Sequence, residues 1–213
     1  MNRRLNSRLK QAYCSLLIGA AMCITPLTAA GKNTLKLYDE AVQLQNEENW
    51  YTASQYFIEV VNDNPAFSDA WYRLADCSYR LGEFDLAFQY LESAEKYEKN
   101  KPEIKNLKGM ILLALGRTEE ARSLFNEVLK KFPNDVNAHF GLAEIELYDG
   151  KFSGAENQYV EALKRQNTNR KALLSLALVC AETKRYSQAE KYLRQAMQYY
   201  SGEPEVHYLA AII

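Results

Sequence analysis

The chain has 213 residues, 47% hydrophobic and 25% charged, with 26 Lys plus Arg against 27 Asp plus Glu. That is ordinary globular usage, long enough to build a core and without the bias that marks disordered or collagen-like chains. The near-neutral balance excludes the dense cationic surface that phosphate backbones require.

The N-terminus departs from this average. Arg3, Arg4, Arg8 and Lys10 precede an uncharged run from Gln11 to Gly31, centred on Leu16, Leu17, Ile18, Met22 and Ile24 and closing with Thr28, Ala29 and Ala30. Basic, then apolar, then small is the order of a secretory signal, so residues 1–30 are expected to be a signal peptide cut near Ala30. An uncleaved membrane anchor, a lipoprotein modified at Cys23, a buried N-terminal helix and an organelle transit peptide stay open beside it. Pro26 interrupts the run, which tells against a span, and Met22 is a poor neighbour for a lipid-modified cysteine. The membrane-directed readings all keep the basic flank inside. They place the rest of the chain outside the cytoplasm, periplasmic or secreted, and let it touch a membrane only through this segment. Taking the four basic residues of the leader from the total of 26 leaves 22 against 27, a net charge of −5. No nucleic-acid partner is expected of such a domain.

From Thr34 onward the chain repeats itself. A shift of 34 residues superposes Ala53, Ala87, Ala121, Ala155 and Ala189 without an insertion. Four residues after each comes a bulky side chain (Phe57, Leu91, Phe125, Tyr159, Leu193), three further on a small or short one (Val60, Ala94, Val128, Ala162, Ala196), and twelve residues before each anchor lies Ala41, Ala75, Gly109, Ala143 or Ala177. Small residues let two helices approach closely and the large one fills the space beside them. In the second unit Trp71, Leu74, Ala75 and Cys77 give way at Gly82, and periodicity resumes with Phe84, Ala87, Phe88, Leu91 and Ala94, which predicts two amphipathic helices and a tight turn. Gly82, Gly116 and Gly150 mark such turns, and Glu48 and Lys184 stand in the same place in the first and fifth units, where strain or altered geometry is expected. Pro65, Pro102, Pro133 and Pro204 fall between units.

The residues WYRLADCSYRLGEFDLAFQYLESA, Trp71 to Ala94, resemble the tetratricopeptide repeat family. Trp71, Leu74, Ala75, Gly82, Phe84, Ala87, Leu91 and Ala94 each carry the residue type that the family pattern wants. The resemblance implies an all-α fold, a right-handed α-solenoid of stacked helix-turn-helix repeats, with complete units at 34–67, 68–101, 102–135, 136–169 and 170–203. Residues 204–213 open an incomplete sixth. Eleven helices and no strand are expected. The third unit departs most from the pattern, carrying Lys105 and Lys108 where the second has Trp71 and Leu74, so its first helix is expected to turn slightly and bury Ile104, Leu107, Ile111, Leu112 and Leu115.

Chemistry is scarce. His139 and His207 both occupy the place of Trp71, a packing position, and lie two repeats apart, too far for one metal ion. Cys77 and Cys180 lie three repeats apart and beyond disulfide reach, so both read as small apolar packing residues. There is no phosphate-binding glycine loop, cysteine-pair metal signature or serine nucleophile elbow. Neither enzyme activity nor a cofactor nor a metal is expected.

What the resemblance offers is a surface. In the family the first helices line a concave groove, and the fifth residue of each unit looks into it: Tyr38, Tyr72, Asn106, Phe140, Leu174 and Tyr208. Neighbouring groove places are Val42, Asp76, Tyr79, Arg80, Met110, Leu147, Tyr148 and Glu182. Of these, Tyr38, Tyr72, Asp76, Tyr79, Arg80, Asn106, Met110, Phe140 and Tyr148 are the candidate peptide-binding residues, because stiff aromatics with wet polar tips bury large area at low entropy cost. Members that clamp acidic chaperone tails use Lys and Asn where this chain has Tyr38 and Val42 or Tyr72 and Asp76, so that clamp is absent. Two readings of function follow. One is an exported scaffold that binds proteins or peptides, in envelope complex assembly. The other is a structural or oligomerising module, or the front of a longer protein whose activity lies elsewhere. Leu209, Ile212 and Ile213 open a helix whose partner never arrives, so either the polypeptide continues or a partner or second copy covers that end, and self-association there is a further expectation.

Overall fold

The structure is a computed structural model and describes residues 34–213; the expected signal peptide lies outside the described residues. Eleven α-helices and no strand are found among them. In order they are α1 (Thr34–Asn46), α2 (Trp50–Asp63), α3 (Ser68–Arg80), α4 (Phe84–Tyr97), α5 (Pro102–Ala114), α6 (Thr118–Lys131), α7 (Val136–Tyr148), α8 (Phe152–Arg165), α9 (Arg170–Glu182), α10 (Tyr186–Tyr199) and α11 (Pro204–Ile212). Every first helix has 13 residues and every second helix 14, apart from the nine-residue α11. This is the solenoid of helix pairs that the period predicts.

The helices begin and end where local chemistry tells them to. Asn49, Asp135 and Asn169 cap α2, α7 and α9 by accepting from the backbone N–H three residues on. Pro102 and Pro204 take the first turns of α5 and α11, where a missing N–H costs nothing. All five turns within the pairs close with one bond, from the N–H of Asn49, Glu83, Arg117, Lys151 and Arg185 to the carbonyl five residues earlier, at 2.7–2.9 Å. That closure forces the preceding residue into the left-handed region. Glycine sits there at Gly82, Gly116 and Gly150, and Glu48 and Lys184 adopt the same conformation with φ of 59° and 60°. The expected effect is therefore strain without a change of geometry, on the order of 1 kcal/mol at each.

The core runs the length of the stack. All five anchor alanines are fully buried, and Phe57, Leu91, Phe125, Tyr159 and Leu193 beside them are buried as well. Cys77 and Cys180 are buried free thiols. Burial pushes the Cys77 thiol up to about 12, with Asp76 adding to the effect, so it packs as an apolar group and is a poor nucleophile. In α5 the buried face moves as expected: Ile104, Leu107, Ile111 and Leu112 are inside, while Lys108 reaches Glu95 at 2.6 Å across the face of Phe88 and Lys105 pairs with Glu127. Leu115 stays half-buried against the neighbouring cluster. First helices of adjacent repeats touch directly, α3 with α5 and α5 with α7, which puts them on the inner side of the curve.

One close approach escaped the sequence. Phe125 of α6 lies between Gly109 of α5 and Gly141 of α7, and a Cβ on either glycine would stand 2.5 or 2.2 Å from its ring. Gly141 occupies a place held by Asp39, Arg73, Leu107 and Ser175 in other units, so nothing in the repeat pattern marks it. Alanine there gains about 1 kcal/mol of helix propensity but overpacks a ring that has no free space to yield. Gly141→Ala should therefore lower the unfolding free energy by about 2 kcal/mol. Chemical denaturation should show part of that loss recovered when Phe125→Leu is added, a coupling of at least about 0.5 kcal/mol between the two sites.

Candidate binding groove

The groove is built differently in its two halves. At the N-terminal end its polar groups are spent on one another. Tyr38 donates to Asp69, Arg73 donates through Nε to the Tyr38 hydroxyl at 2.6 Å and to Asp69 at 3.0 Å, and its Nη1 reaches Gln45 Oε1 at 3.0 Å. Gln45 in turn donates to Asp76 at 2.8 Å, and Arg80 lies 3.5 Å from Asp76 with its guanidinium 5.5 Å from the Trp50 ring centre. Tyr38 also stacks on Phe67 at 4.7 Å. The network laces α1 to α3 and holds Tyr38, Asp76 and Arg80 in place. Gln45 and Arg73, its central members, were not singled out from sequence, because pairing across repeats leaves no local signal.

Tyr72 and Tyr79 form the next part of the wall. Both are half-buried against the α4–α5 cluster, with Tyr79 tilted on Phe84 at 5.8 Å. Burial pushes the Tyr72 hydroxyl up to about 12, with Asp76 and Glu103 adding to it. Tyr38 is likewise pushed up to about 12, first by burial and then by its bond to Asp69.

The middle of the groove corrects two expectations. Asn106 is only 5% exposed, its amide donating to Asp135 at 2.8 Å and its Oδ1 buried without a partner among the described residues. It staples α5 to the cap of α7 and offers no free amide to a peptide. Phe140 is also 5% exposed, packed on Tyr159 at 5.6 Å beneath the Lys171 ammonium. The neighbouring first helices crowd these two positions, which the fifth-residue rule could not anticipate. Met110 is half-buried against the α6–α7 cluster.

Toward the C-terminus the wall opens and turns apolar. Tyr148 is 85% exposed, Leu178 44% and Tyr208 69%. A hollow of about 280 Å³ lies where α7, α8 and α9 meet, lined by Leu147, Phe152, Tyr159, Leu178, Val179 and Glu182, with Ser175 also on its wall. Leu174 is buried. Leu178 was not named from sequence, although its spacing of 34 and 68 residues from Glu144 and Met110 marks it as a groove position.

The two histidines make a contact that Trp71 also makes. Trp71 Nε1 donates to the Pro65 carbonyl at 2.9 Å, and the Nε2 atoms of His139 and His207 meet the equivalent carbonyls of Pro133 and Ser201 at 3.1 and 2.6 Å. All three clasp the connection before their own helix. Among the described residues no cluster of His, Cys, Asp or Glu is placed to hold a metal ion, and no helix is long and apolar enough to cross a membrane.

This architecture, paired helices at a constant period with a first-helix wall, defines a tetratricopeptide-repeat solenoid. Comparisons with known proteins support that family. The tetratricopeptide repeat model matches residues 112–157 and 146–213, and the model of anaphase-promoting complex, cyclosome, subunit 3 matches residues 43–128. Human protein O-mannosyl-transferase TMTC3 is 27% identical over 195 residues, 90% of this chain, but the chain spans only 19% of that protein's length. Among solved structures, the thermophilic tetratricopeptide protein TTC0263 of Thermus thermophilus superposes with a TM-score of 0.76 at 18% identity, over 84% of this chain and 98% of the other. The APC/C hetero-tetramer Cut9-Hcn1 gives 0.74 at 18% identity, over 86% of this chain and 36% of the other.

Because the native state holds Tyr38 and Tyr72 neutral up to about 12 while the unfolded chain ionises them near 10, the unfolded state binds fewer protons between those values. Their contribution to stability is whole below pH 10 and drains away as pH rises toward 12. Absorbance at the tyrosinate band should show a late-ionising group of phenols that shrinks in Tyr72→Phe, and that variant should flatten the fall of the melting temperature over the window.

Proposed function

We propose that this solenoid is a scaffold that holds protein or peptide partners in its groove, and that it works outside the cytoplasm in the assembly of envelope complexes. The observation that carries the binding reading is the exposure of Tyr148, Leu178 and Tyr208 on three successive first helices. The core does not use this surface, and large apolar side chains are costly to leave in water unless something covers them. The first helices are packed against the second helices behind them, so a segment docking there finds the wall already formed. Protein assembly is also the setting in which the APC/C hetero-tetramer is described. The export half rests on the order of basic, apolar and small residues across 1–30.

Each half has its own test. Tyr148→Ala combined with Leu178→Ala should weaken capture of the native partner at least about tenfold, the equivalent of roughly 1.4 kcal/mol, with helicity unchanged; equal capture by the folded double variant would move the site off this wall. For export, the mature protein isolated from its native cells should begin near Gly31 and should be open to protease added outside the cytoplasmic membrane. A chain that keeps its first residues and stays protected inside the cytoplasm would overturn it.

A further inference from the structure

We infer that the groove's occupant is a cationic segment with apolar anchors, seated on α7 and α9 and running on toward α11. This rests on the scaffold reading above and adds the chemistry of the partner. The apolar half of the requirement follows from Leu178, which lines the hollow between α7, α8 and α9, and from Tyr148, left 85% exposed at the end of α7. At about 280 Å³ the hollow falls just below the range of roughly 300–1,000 Å³ typical of small-molecule pockets. It suits one large side chain of a docked segment better than a free ligand.

Charge decides the rest. Every Lys and Arg on the first helices already has a carboxylate: Lys36 with Glu40, Arg73 with Asp69, Arg80 with Asp76, Lys105 with Glu127, Lys108 with Glu95, Arg170 with Glu203 and Lys171 with Glu144. The carboxylates are not all matched in return. Glu103, Glu182 and Glu205 on α5, α9 and α11 have no ion pair among the described residues, and Glu182 lines the hollow itself. An acidic segment would have to break an existing pair and then lie against these carboxylates. A lysine or arginine beside the anchor finds Glu182 free.

A second observation reports the same field. The Tyr79 hydroxyl is pushed up first by burial and then by Glu144, a carboxylate on α7 two repeats further along, and Tyr72 by burial and then by Asp76 and Glu103, with Arg80 and Arg73 respectively working the other way. The curvature thus gathers carboxylates from separate repeats onto one apolar wall, where low-dielectric surroundings extend their reach.

The test uses the purified full chain and three short fluorescein-labelled synthetic peptides: one alternating Lys and Leu, one with Glu replacing Lys, and one with Ser replacing Leu. By fluorescence anisotropy near physiological ionic strength, the Lys/Leu probe should bind at least about tenfold tighter than either of the others. Glu182→Lys should weaken that binding at least about fivefold and Glu182→Gln by less, whereas the same reversal at Glu92, on the exposed side of α4, should leave it unchanged. Glu182 and Glu92 are both exposed, so the variants keep the fold. Equal binding of the Lys/Leu and Glu/Leu probes, an equal effect of Glu92→Lys, or no binding of any probe would overturn the inference. If both Leu-containing probes bind equally well and both are lost in the Tyr148→Ala, Leu178→Ala variant, the groove reading stands and only the cationic preference falls.

Discussion

The rest of the structure depends on the absence of volume at one position in each second helix. Ala53, Ala87, Ala121, Ala155 and Ala189 are fully buried where paired helices come closest. A side chain any larger there would hold the helices apart and open the space that Phe57, Leu91, Phe125, Tyr159 and Leu193 now fill. No pair buries its own apolar faces, so each unit depends on the next, and phase errors do not stay local in such an array. The strict 34-residue spacing is the consequence. An insertion in any turn would move the following first helix off the wall.

That constraint also explains why the groove is uneven. Once helix positions are set by packing, each inward-facing side chain is left to be satisfied by whatever its neighbours provide. In the first two repeats they provide one another, through the Tyr38, Gln45, Asp69, Arg73 and Asp76 network. Individual surface ion pairs contribute little; here one ion pair and two hydrogen bonds to neutral groups converge on Arg73, so the network fixes orientation more than it adds stability. In the fourth and fifth repeats Phe140 and Leu174 are buried, while Tyr148 and Leu178 stand in water. The same scaffold therefore carries a self-satisfied polar end and a more open, more apolar end.

The place of Trp71 shows how a repeat tolerates substitution. Tryptophan and histidine differ in size and charge, but both present a ring N–H at the reach needed to meet the carbonyl six residues earlier. Leu37, Lys105 and Leu173 fill the same place in the other units without that bond, so the contact is an option the position allows. His139 and His207 take it, and the contact fixes the orientation of each ring.

The fold was legible in the sequence because a solenoid's contacts are between nearest neighbours, so the period that one reads along the chain is also the period of its packing. The anchor alanines, the turn residues at Gly82, Gly116 and Gly150, and the shifted buried face of α5 all followed from local pattern. The groove was legible only as a list of places. Whether a residue in such a place is open depends on what two adjacent repeats put beside it. Tertiary packing buried Asn106 against the cap of α7 and Phe140 against Tyr159 and Lys171, opened Leu178, and set Gly141 around a ring from the preceding repeat. The sequence by itself determined the helices, their phase and their stacking, since these depend on spacings within a unit. Accessibility and pairing on the wall were decided by the tertiary structure, because both depend on side chains roughly one repeat away that share no periodic signal with the ones they cover.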